Sequence, residues 1–324
     1  MMNTIKEYLA PQLKQVERTI ADALRSDVQL LDATNHSLRE HPGKMLRPIL
    51  ALLCAGAAGT PNEDTVKCAA GVELLHNATL LHDDVVDGAT QRRGLPTVAS
   101  LLGGPAAVLI GDFWLVRAVR TIMESTHNKD RIINIFAETL GHLAEGELLQ
   151  MEKAGKADAT QEDYERIIFG KTASLFRTAA VSAALSVDAP ENVVEALGLF
   201  AKNLGIAVQI KDDIMDYAYG EAAIGKPTGI DLREQKITQP LLCALADNPS
   251  KEAEIRAKVS QIADNPVLAE EVRAFVLEND GVSKAAQVLD KFIGMALSCL
   301  ETLADTPEKL YLAKLAQFVG AREN

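Results

Sequence analysis

Aromatic residues make up only 4% of the 324-residue chain, and no stretch alternates apolar with polar residues convincingly. A sheet is read from that period-two pattern and is enriched in aromatic and β-branched side chains, so the sequence argues against a sheet-built fold. The four cysteines (Cys54, Cys68, Cys243, Cys299) lie far apart with no CxxC, which argues against a disulfide framework and suits buried free thiols in a reducing cytosol. Of six histidines, His36, His41, His127 and His142 occur singly in helix or turn sequence, and no Ser/His/Asp or Cys/His arrangement marks a protein nucleophile. The net charge is −12, with basic groups scattered between acidic ones, so nucleic acid is not an expected partner. The N-terminus carries Lys6 and Glu7 without the apolar core of a secretory leader, and no uninterrupted apolar run reaches membrane-spanning length; a cytoplasmic location is the expectation. There is no repeat, low-complexity tract or Ser/Pro-rich linker.

What remains is apolar helix. Alanine and leucine are plentiful, as helices prefer, and the pattern breaks at 56–62, 88–96, 125–130, 153–160, 187–191, 220–236, 247–251 and 264–266. Roughly a dozen helices are predicted on these breaks. Thr97 to Val116 is apolar but interrupted by Gly103-Gly104-Pro105, read as a turn between two helices.

Against this background two acidic runs stand out, Asp83-Asp84-Val85-Val86-Asp87 and Asp212-Asp213-Ile214-Met215-Asp216. In each, the first and last aspartates are four residues apart and leave one helix face a turn apart. Like charges so placed weaken a helix by a few tenths of a kcal/mol, about what an i,i+4 pair is worth. One such run alone reads as a solvated helix face. Both are flanked by apolar residues (Ala78, Leu80, Leu81; Ile206, Val208, Ile210), which puts the carboxylates at the edge of a buried stripe, where they need partners. Hard oxygen pairs suit Mg²⁺, which takes one or two carboxylates together with substrate phosphates. Two such faces turned toward each other would hold a diphosphate through shared metal ions, so the whole chain, 1–324, is read as one domain.

Cations supply the other half. Gly88 to Gly94 carries Arg92 and Arg93 in a glycine-bounded loop; Gly43 to Pro48 carries Lys44 and Arg47; Gly225 to Lys236 carries Lys226 and Lys236; Lys171-Thr172 ends an apolar helix pattern. Each cluster alone reads as surface solvation. Together with two carboxylate faces they meet the needs of two diphosphate groups.

These motifs, in this order, resemble the trans-type isoprenyl (polyprenyl) diphosphate synthases from about Lys44 to Pro240: the Gly-Lys-x-x-Arg-Pro loop, Val72-Glu73-Leu74-Leu75-His76 leading to His82-Asp83-Asp84, the Arg-Arg-Gly loop, Gly111-Asp112-Phe113, Gly170-Lys171-Thr172, Gln209 before Asp212, and Gly-Lys-Pro-x-Gly-x-Asp. The resemblance implies an all-α, single-domain helical bundle of the isoprenoid synthase type with a central cavity, acting as a homodimer. It implies Mg²⁺, three ions with bound diphosphate, held by Asp83, Asp87 and Asp212 with Asp84, Asp213 and Asp216 in support. Arg92, Lys171, Gln209, Lys226 and Lys236 match the allylic diphosphate site, exemplified by farnesyl diphosphate. Lys44, Arg47, His76 and Arg93 match the isopentenyl diphosphate site, and Thr172 lies near the developing cation. Three positions depart from the family: Met45 replaces arginine or lysine, Gln235 a common glycine, and Gln239 a common leucine.

The implied chemistry fits the missing nucleophile. Ionising an allylic diphosphate needs the leaving group stabilised and water excluded, and the released diphosphate can take the proton. Residues Ala78 and Thr79, a turn before Asp83, are small; in the family a bulky aromatic there stops elongation early, so a deeper floor at Ile122, Met123 or Phe136 and a product of seven to nine isoprene units, centred on octaprenyl, are implied. A greasy product makes transient membrane contact an expectation. A shorter-chain farnesyl or geranylgeranyl synthase remains the main alternative; a terpene cyclase is disfavoured by the second DDxxD, and a non-catalytic partner subunit by the filled motif positions.

Overall fold

The computed structural model describes residues 1–41, 43–92, 94–218 and 229–321. Seventeen α-helices occur among them: α1 Met2–Tyr8, α2 Ala10–Ala23, α3 Gln29–Glu40, α4 Leu46–Ala58, α5 Glu63–Val86, α6 Val98–Leu102, α7 Gly104–Met123, α8 Lys129–Lys156, α9 Gln161–Ile168, α10 Ser174–Ser186, α11 Glu191–Ala218, α12 Ile230–Arg233, α13 Gln239–Ala246, α14 Glu252–Ser260, α15 Val267–Glu278, α16 Gly281–Cys299 and α17 Pro307–Gly320. A π-helical turn, Phe169–Ala173, joins α9 to α10. The fold is all-α, as the sequence predicts. The one β element among the described residues is a ladder of two-residue strands, β1 Gln91–Arg92 and β2 Leu95–Pro96, paired antiparallel.

The chain divides into two compact units. The first comprises Met1–Ala137, Leu175–Gly198 and Thr302–Lys314; the second comprises Glu138–Ser174, Leu199–Glu301 and Leu315 onward.

In the first unit the long α5 lies against α2, α4 and α7. Its start is fixed by a capping box: Asn62 Oδ1 accepts from the Asp64 and Thr65 amides, and Thr65 Oγ1 accepts from the Asn62 amide. These bonds satisfy donors that a helix N-terminus otherwise leaves open. Two glycines let α5 and α7 approach closely. A Cβ on Gly71 would fall 2.7 Å from Ile122 Cγ1, and one on Gly111 would fall on the His82 ring. His82 Nε2 lies 3.2 Å from Asp112 Oδ1 and 3.3 Å from the Val108 carbonyl, so this histidine docks α5 on α7. The sole tryptophan, Trp114, donates to Asn35 Oδ1 at 2.8 Å while Asn35 Nδ2 donates to the Leu24 carbonyl at 2.8 Å. That buried, satisfied amide ties α3 and the end of α2 to α7.

Asp64, in the first turn of α5, collects the amides of Thr126 and His127, the Thr126 hydroxyl, His127 Nδ1 and Lys67 Nζ. Burial raises its pKa, yet these bonds outweigh burial and hold it below the usual carboxylate range, while the Asp64 bond raises the imidazole pKa of His127. The Asp64 contribution is present above its unfolded pKa and fades as pH falls toward its lowered value; that of His127 is present below about 6.5 and fades as pH rises through its raised value. His127→Ala therefore lowers Tm more at pH 5.5 than at pH 9, a difference that calorimetry at the two pH values reads directly.

In the second unit α9 opens on its own capping box, between Thr160 and Asp163. Helix α13 packs on α9, α15 and α16. Helix α11 carries the second acidic run near its C-terminal end. The stretch Glu191–Tyr217 is long and apolar enough to cross a membrane by length and composition, and 61% of its most apolar window is buried inside the protein.

Candidate active site

In the first unit the Asp87 amide donates to the Asp83 carbonyl at 2.8 Å, so the two residues are one helical turn apart, with Asp87 as the helix C-cap. Asp83 is half-buried and Asp87 exposed, while Asp84 is buried and accepts from Arg92 Nε at 2.7 Å. That split follows from the helix: adjacent residues point about 100° apart, so the middle aspartate turns into the protein and takes a protein partner. Arg92 sits on β1, in a hairpin whose turn includes Gly94 at φ +79° and whose base is closed by Thr97 Oγ1 on the Ala89 carbonyl at 2.7 Å. Glycine suits the positive φ that such a turn requires. Arg93 lies outside the described residues.

The other expected side chains of this unit lie on α5 and at the start of α4. Lys44 is exposed before α4, and Arg47 is half-buried in its first turn with the guanidinium carbon 4.8 Å from the Phe176 ring centre. His76 is half-buried on α5. Met45 caps α4 at φ 57°, a left-handed conformation, and borders a cavity of about 360 Å³ that Gly43, Glu73, Asn77 and Trp114 also line. On the same helix Ala78 is buried and Thr79 half-buried. Ile122 and Phe136 are buried in this unit, whereas Met123 is 49% exposed in the last turn of α7.

The second unit repeats the carboxylate pattern. Asp212 is exposed and Asp216 half-buried, while Asp213 is buried with both oxygens taken: Tyr164 OH donates to Oδ2 at 2.6 Å and Gln209 Nε2 to Oδ1 at 3.0 Å. Gln209 Oε1 in turn accepts from Thr172 Oγ1 at 2.8 Å. Asp216 accepts the amides of Ile230 and Asp231 at 3.2 and 3.1 Å, which fixes the start of α12. Burial pushes Asp213 up to about 6 against the pull of its two hydrogen bonds. Asp231, half-buried near Asp213 and Asp216, is raised well above the usual carboxylate value, chiefly by desolvation and then by those charges.

Lys171 and Thr172 do not end a helix, as their apolar context implies; they occupy the π-turn inside a continuous helical run. Such turns recur at functional sites. Helix α8 reaches this turn through two glycines in contact, since a Cβ on Gly146 would sit 3.0 Å from Gly170 Cα. A small cavity, about 140 Å³, is lined by Lys171, Gln209, Asp213, Asp231 and Lys236, together with Gln150, Lys153 and Tyr164. Of the site residues expected in this unit, Lys171, Gln209, Asp213 and Lys236 line this cavity and Thr172 joins it through Gln209, while Asp212 and Asp216 do not line it and Lys226 lies outside the described residues.

Two departures from the family pattern have structural accounts. Gln235 stands at φ 59°, where glycine would be unstrained, and its Nε2 donates to the Val259 and Ser260 carbonyls at 3.1 and 2.8 Å. Those bonds hold a conformation that L-residues disfavour. Gln239 is buried and exchanges amide hydrogen bonds of 3.1 and 3.2 Å with Gln161, so a polar pair replaces an apolar contact there. Sequence reasoning missed Tyr164, Glu147, Gln150, Asp231 and the Gly146–Gly170 contact. Asp231 was visible as the last member of a quoted loop; the others carry no local signal.

The donor set fits Mg²⁺ on chemical grounds. It offers hard carboxylate oxygens in pairs at i,i+4 spacing, Asp83 with Asp87 and Asp212 with Asp216. Such pairs match a cation that completes its shell with water and phosphate oxygens.

Comparison with known proteins agrees with these motifs. The polyprenyl synthetase family model matches residues 28–275. The octaprenyl diphosphate synthase of Escherichia coli is 33% identical over 322 residues, covering 99% of each chain. A geranylgeranyl diphosphate synthase of Saccharolobus solfataricus is 31% identical over 325 residues, covering 97% of each. The crystal structure of a decaprenyl diphosphate synthase from Rhodobacter capsulatus superposes with a TM-score of 0.90 at 35% identity, covering 99% of this chain and 98% of that one.

Proposed function

Because the chain belongs to the polyprenyl synthetase family and is a trans-prenyltransferase, we propose that it condenses isopentenyl diphosphate with an allylic diphosphate, such as farnesyl diphosphate, to an all-trans polyprenyl diphosphate of about C35–C45. The observation that carries this reading is the doubled carboxylate pattern: in each run the middle aspartate is buried on a protein partner, while of the outer ones Asp87 and Asp212 are exposed, Asp83 is half-buried and Asp216 is half-buried on the amides of Ile230 and Asp231.

In this reading Asp83, Asp87 and Asp212 hold Mg²⁺, three ions with diphosphate bound. Bound there, Mg²⁺ supplies the positive charge that stabilises the leaving diphosphate. The chain's own residues do the rest. Asp84 and Asp213 anchor their helices through Arg92, Tyr164 and Gln209; Asp216 holds the start of α12. Arg92, Lys171, Gln209, Lys226 and Lys236 bind the allylic diphosphate. Lys44, Arg47, His76 and Arg93 bind isopentenyl diphosphate. Thr172 presents its oxygen to the allylic cation, whose carbon is attacked by the double bond of isopentenyl diphosphate; the released diphosphate then accepts the proton. Small side chains at Ala78 and Thr79 let the chain grow, and the buried Ile122 and Phe136 set its floor.

The assignment of about eight units rests on Ala78 and Thr79 and on the octaprenyl relative. The geranylgeranyl relative, of similar identity, favours a shorter product as the second reading. We further propose one functional domain over 1–324, a cytoplasmic homodimer, and brief membrane contact on product release. Exposed Leu109, Val116 and Met123, at 69, 55 and 49%, recur every seven residues along α7 and support a helix-mediated dimer contact.

The deciding experiment incubates purified protein with isopentenyl diphosphate, farnesyl diphosphate and Mg²⁺, with an EDTA control, and sizes the dephosphorylated products by chromatography. A metal-dependent ladder ending near eight units is expected. A stop at three or four units, with dimethylallyl diphosphate also tried, overturns the length, and no elongation with any primer overturns the reaction.

A further inference from the structure

Lys171 is not a lone cation awaiting an anion. Its Nζ lies 2.6 Å from Glu147 Oε2 and 3.2 Å from Gln150 Oε1, and Gln150 Nε2 closes the triangle on Glu147 Oε1 at 3.3 Å. The two charged side chains are only 27% and 20% exposed, so solvent screens the pair less than it would at the surface. The two backbones that carry the pair lie close together. Helix α8 meets the π-turn at van der Waals contact through Gly146 and Gly170, the residues immediately before Glu147 and Lys171, and a Cβ on Gly170 would fall 2.6 Å from the His142 carbonyl.

We infer that Glu147 is a built-in competitor for the diphosphate at Lys171 and sets the affinity of that subsite. The inference rests on the reading of Lys171 as a diphosphate ligand. A diphosphate reaching Lys171 must share the ammonium with Glu147 or displace it, and it also meets the repulsion of a fixed carboxylate. The ion pair thus weakens ground-state binding of diphosphate. That serves an enzyme adding many units in succession. Each condensation releases inorganic diphosphate, which must leave before the elongated chain's own diphosphate takes its place, and Glu147 recovers Lys171 as it leaves.

The test is isothermal titration of inorganic diphosphate, at saturating Mg²⁺, into the wild-type protein, Glu147→Gln, Lys171→Met and the double variant. Glutamine keeps the shape and an acceptor oxygen but removes the charge, and circular dichroism checks the fold. Glu147→Gln is expected to bind about fivefold more tightly, the loss of roughly one partly buried ion pair. Lys171→Met binds more weakly, and in the Lys171→Met background the Glu147→Gln gain disappears. Unchanged affinity in Glu147→Gln overturns the inference alone. So does a gain that persists without Lys171, since it then reflects general charge rather than competition for the lysine. Unchanged affinity in Lys171→Met overturns the assignment of Lys171 and the inference together.

Discussion

Asp83→Ala is expected to lower the rate of condensation by about 10²- to 10³-fold or more, the scale at which loss of one charge-stabilising group acts in a preorganised site. The same substitution removes the repulsion between Asp83 and Asp87, one turn apart, worth a few tenths of a kcal/mol, and is expected to cost little helicity. Turnover should therefore fall by orders of magnitude while the helical content stays close to that of the wild type. The neighbouring Asp84 makes the contrast. It is buried on Arg92, so Asp84→Ala strands a half-buried guanidinium and should lower Tm as well as activity. Steady-state rates and circular-dichroism melting curves on the two variants read these quantities. Near wild-type turnover in Asp83→Ala would remove the metal assignment, and a parallel loss of Tm would make Asp83 a structural residue.

That contrast also marks how far the sequence could be read. Helix after helix was legible, because Gly, Pro and Asn clusters punctuate an apolar 3.6-residue pattern: the predicted break at 56–62 falls between α4 and α5, that at 187–191 between α10 and α11, and Gly103 divides α6 from α7. The acidic runs were legible too, since i,i+4 spacing is a local property. The partners were not. Tyr164 reaches Asp213 across 49 residues, and Arg92 reaches Asp84 from a hairpin with no strand signal. The π-turn escaped notice because the one-residue surplus that creates it leaves the apolar pattern around Lys171 looking merely finished. Gln235 at φ 59° and the Gln161–Gln239 pair were visible only as departures from a family pattern, and the carbonyls and amide that answer them lie far along the chain. That Met123 is exposed on α7 could not be read either, because spacing cannot say which side of α7 its own unit covers.

Ala78→Phe is expected to shorten the product by at least one isoprene unit, the second large effect. Ala78 is 1% exposed on α5, five residues before Asp83, so an added phenyl group there adds bulk to a packed wall just below the reacting end. Overpacking a buried site costs about 1–3 kcal/mol, and a lower Tm alone would say nothing about length. Thr79→Phe, at the adjacent half-buried position, adds the same group with less crowding and should shorten the product as well. The opposite change tests the floor. Ile122 presses on α5 at Gly71, two turns below Ala78, so Ile122→Ala opens space at depth and should lengthen the product of a chain that grows along this helix. Chromatography of the dephosphorylated products settles each case, with Tm recorded beside it. Shorter products from both phenylalanine variants and a longer one from Ile122→Ala would place the growing chain along α5. An unchanged ladder in all three folded variants would mean that the chain runs along another wall, because added or removed volume beside a tunnel acts on the intermediate that first reaches it.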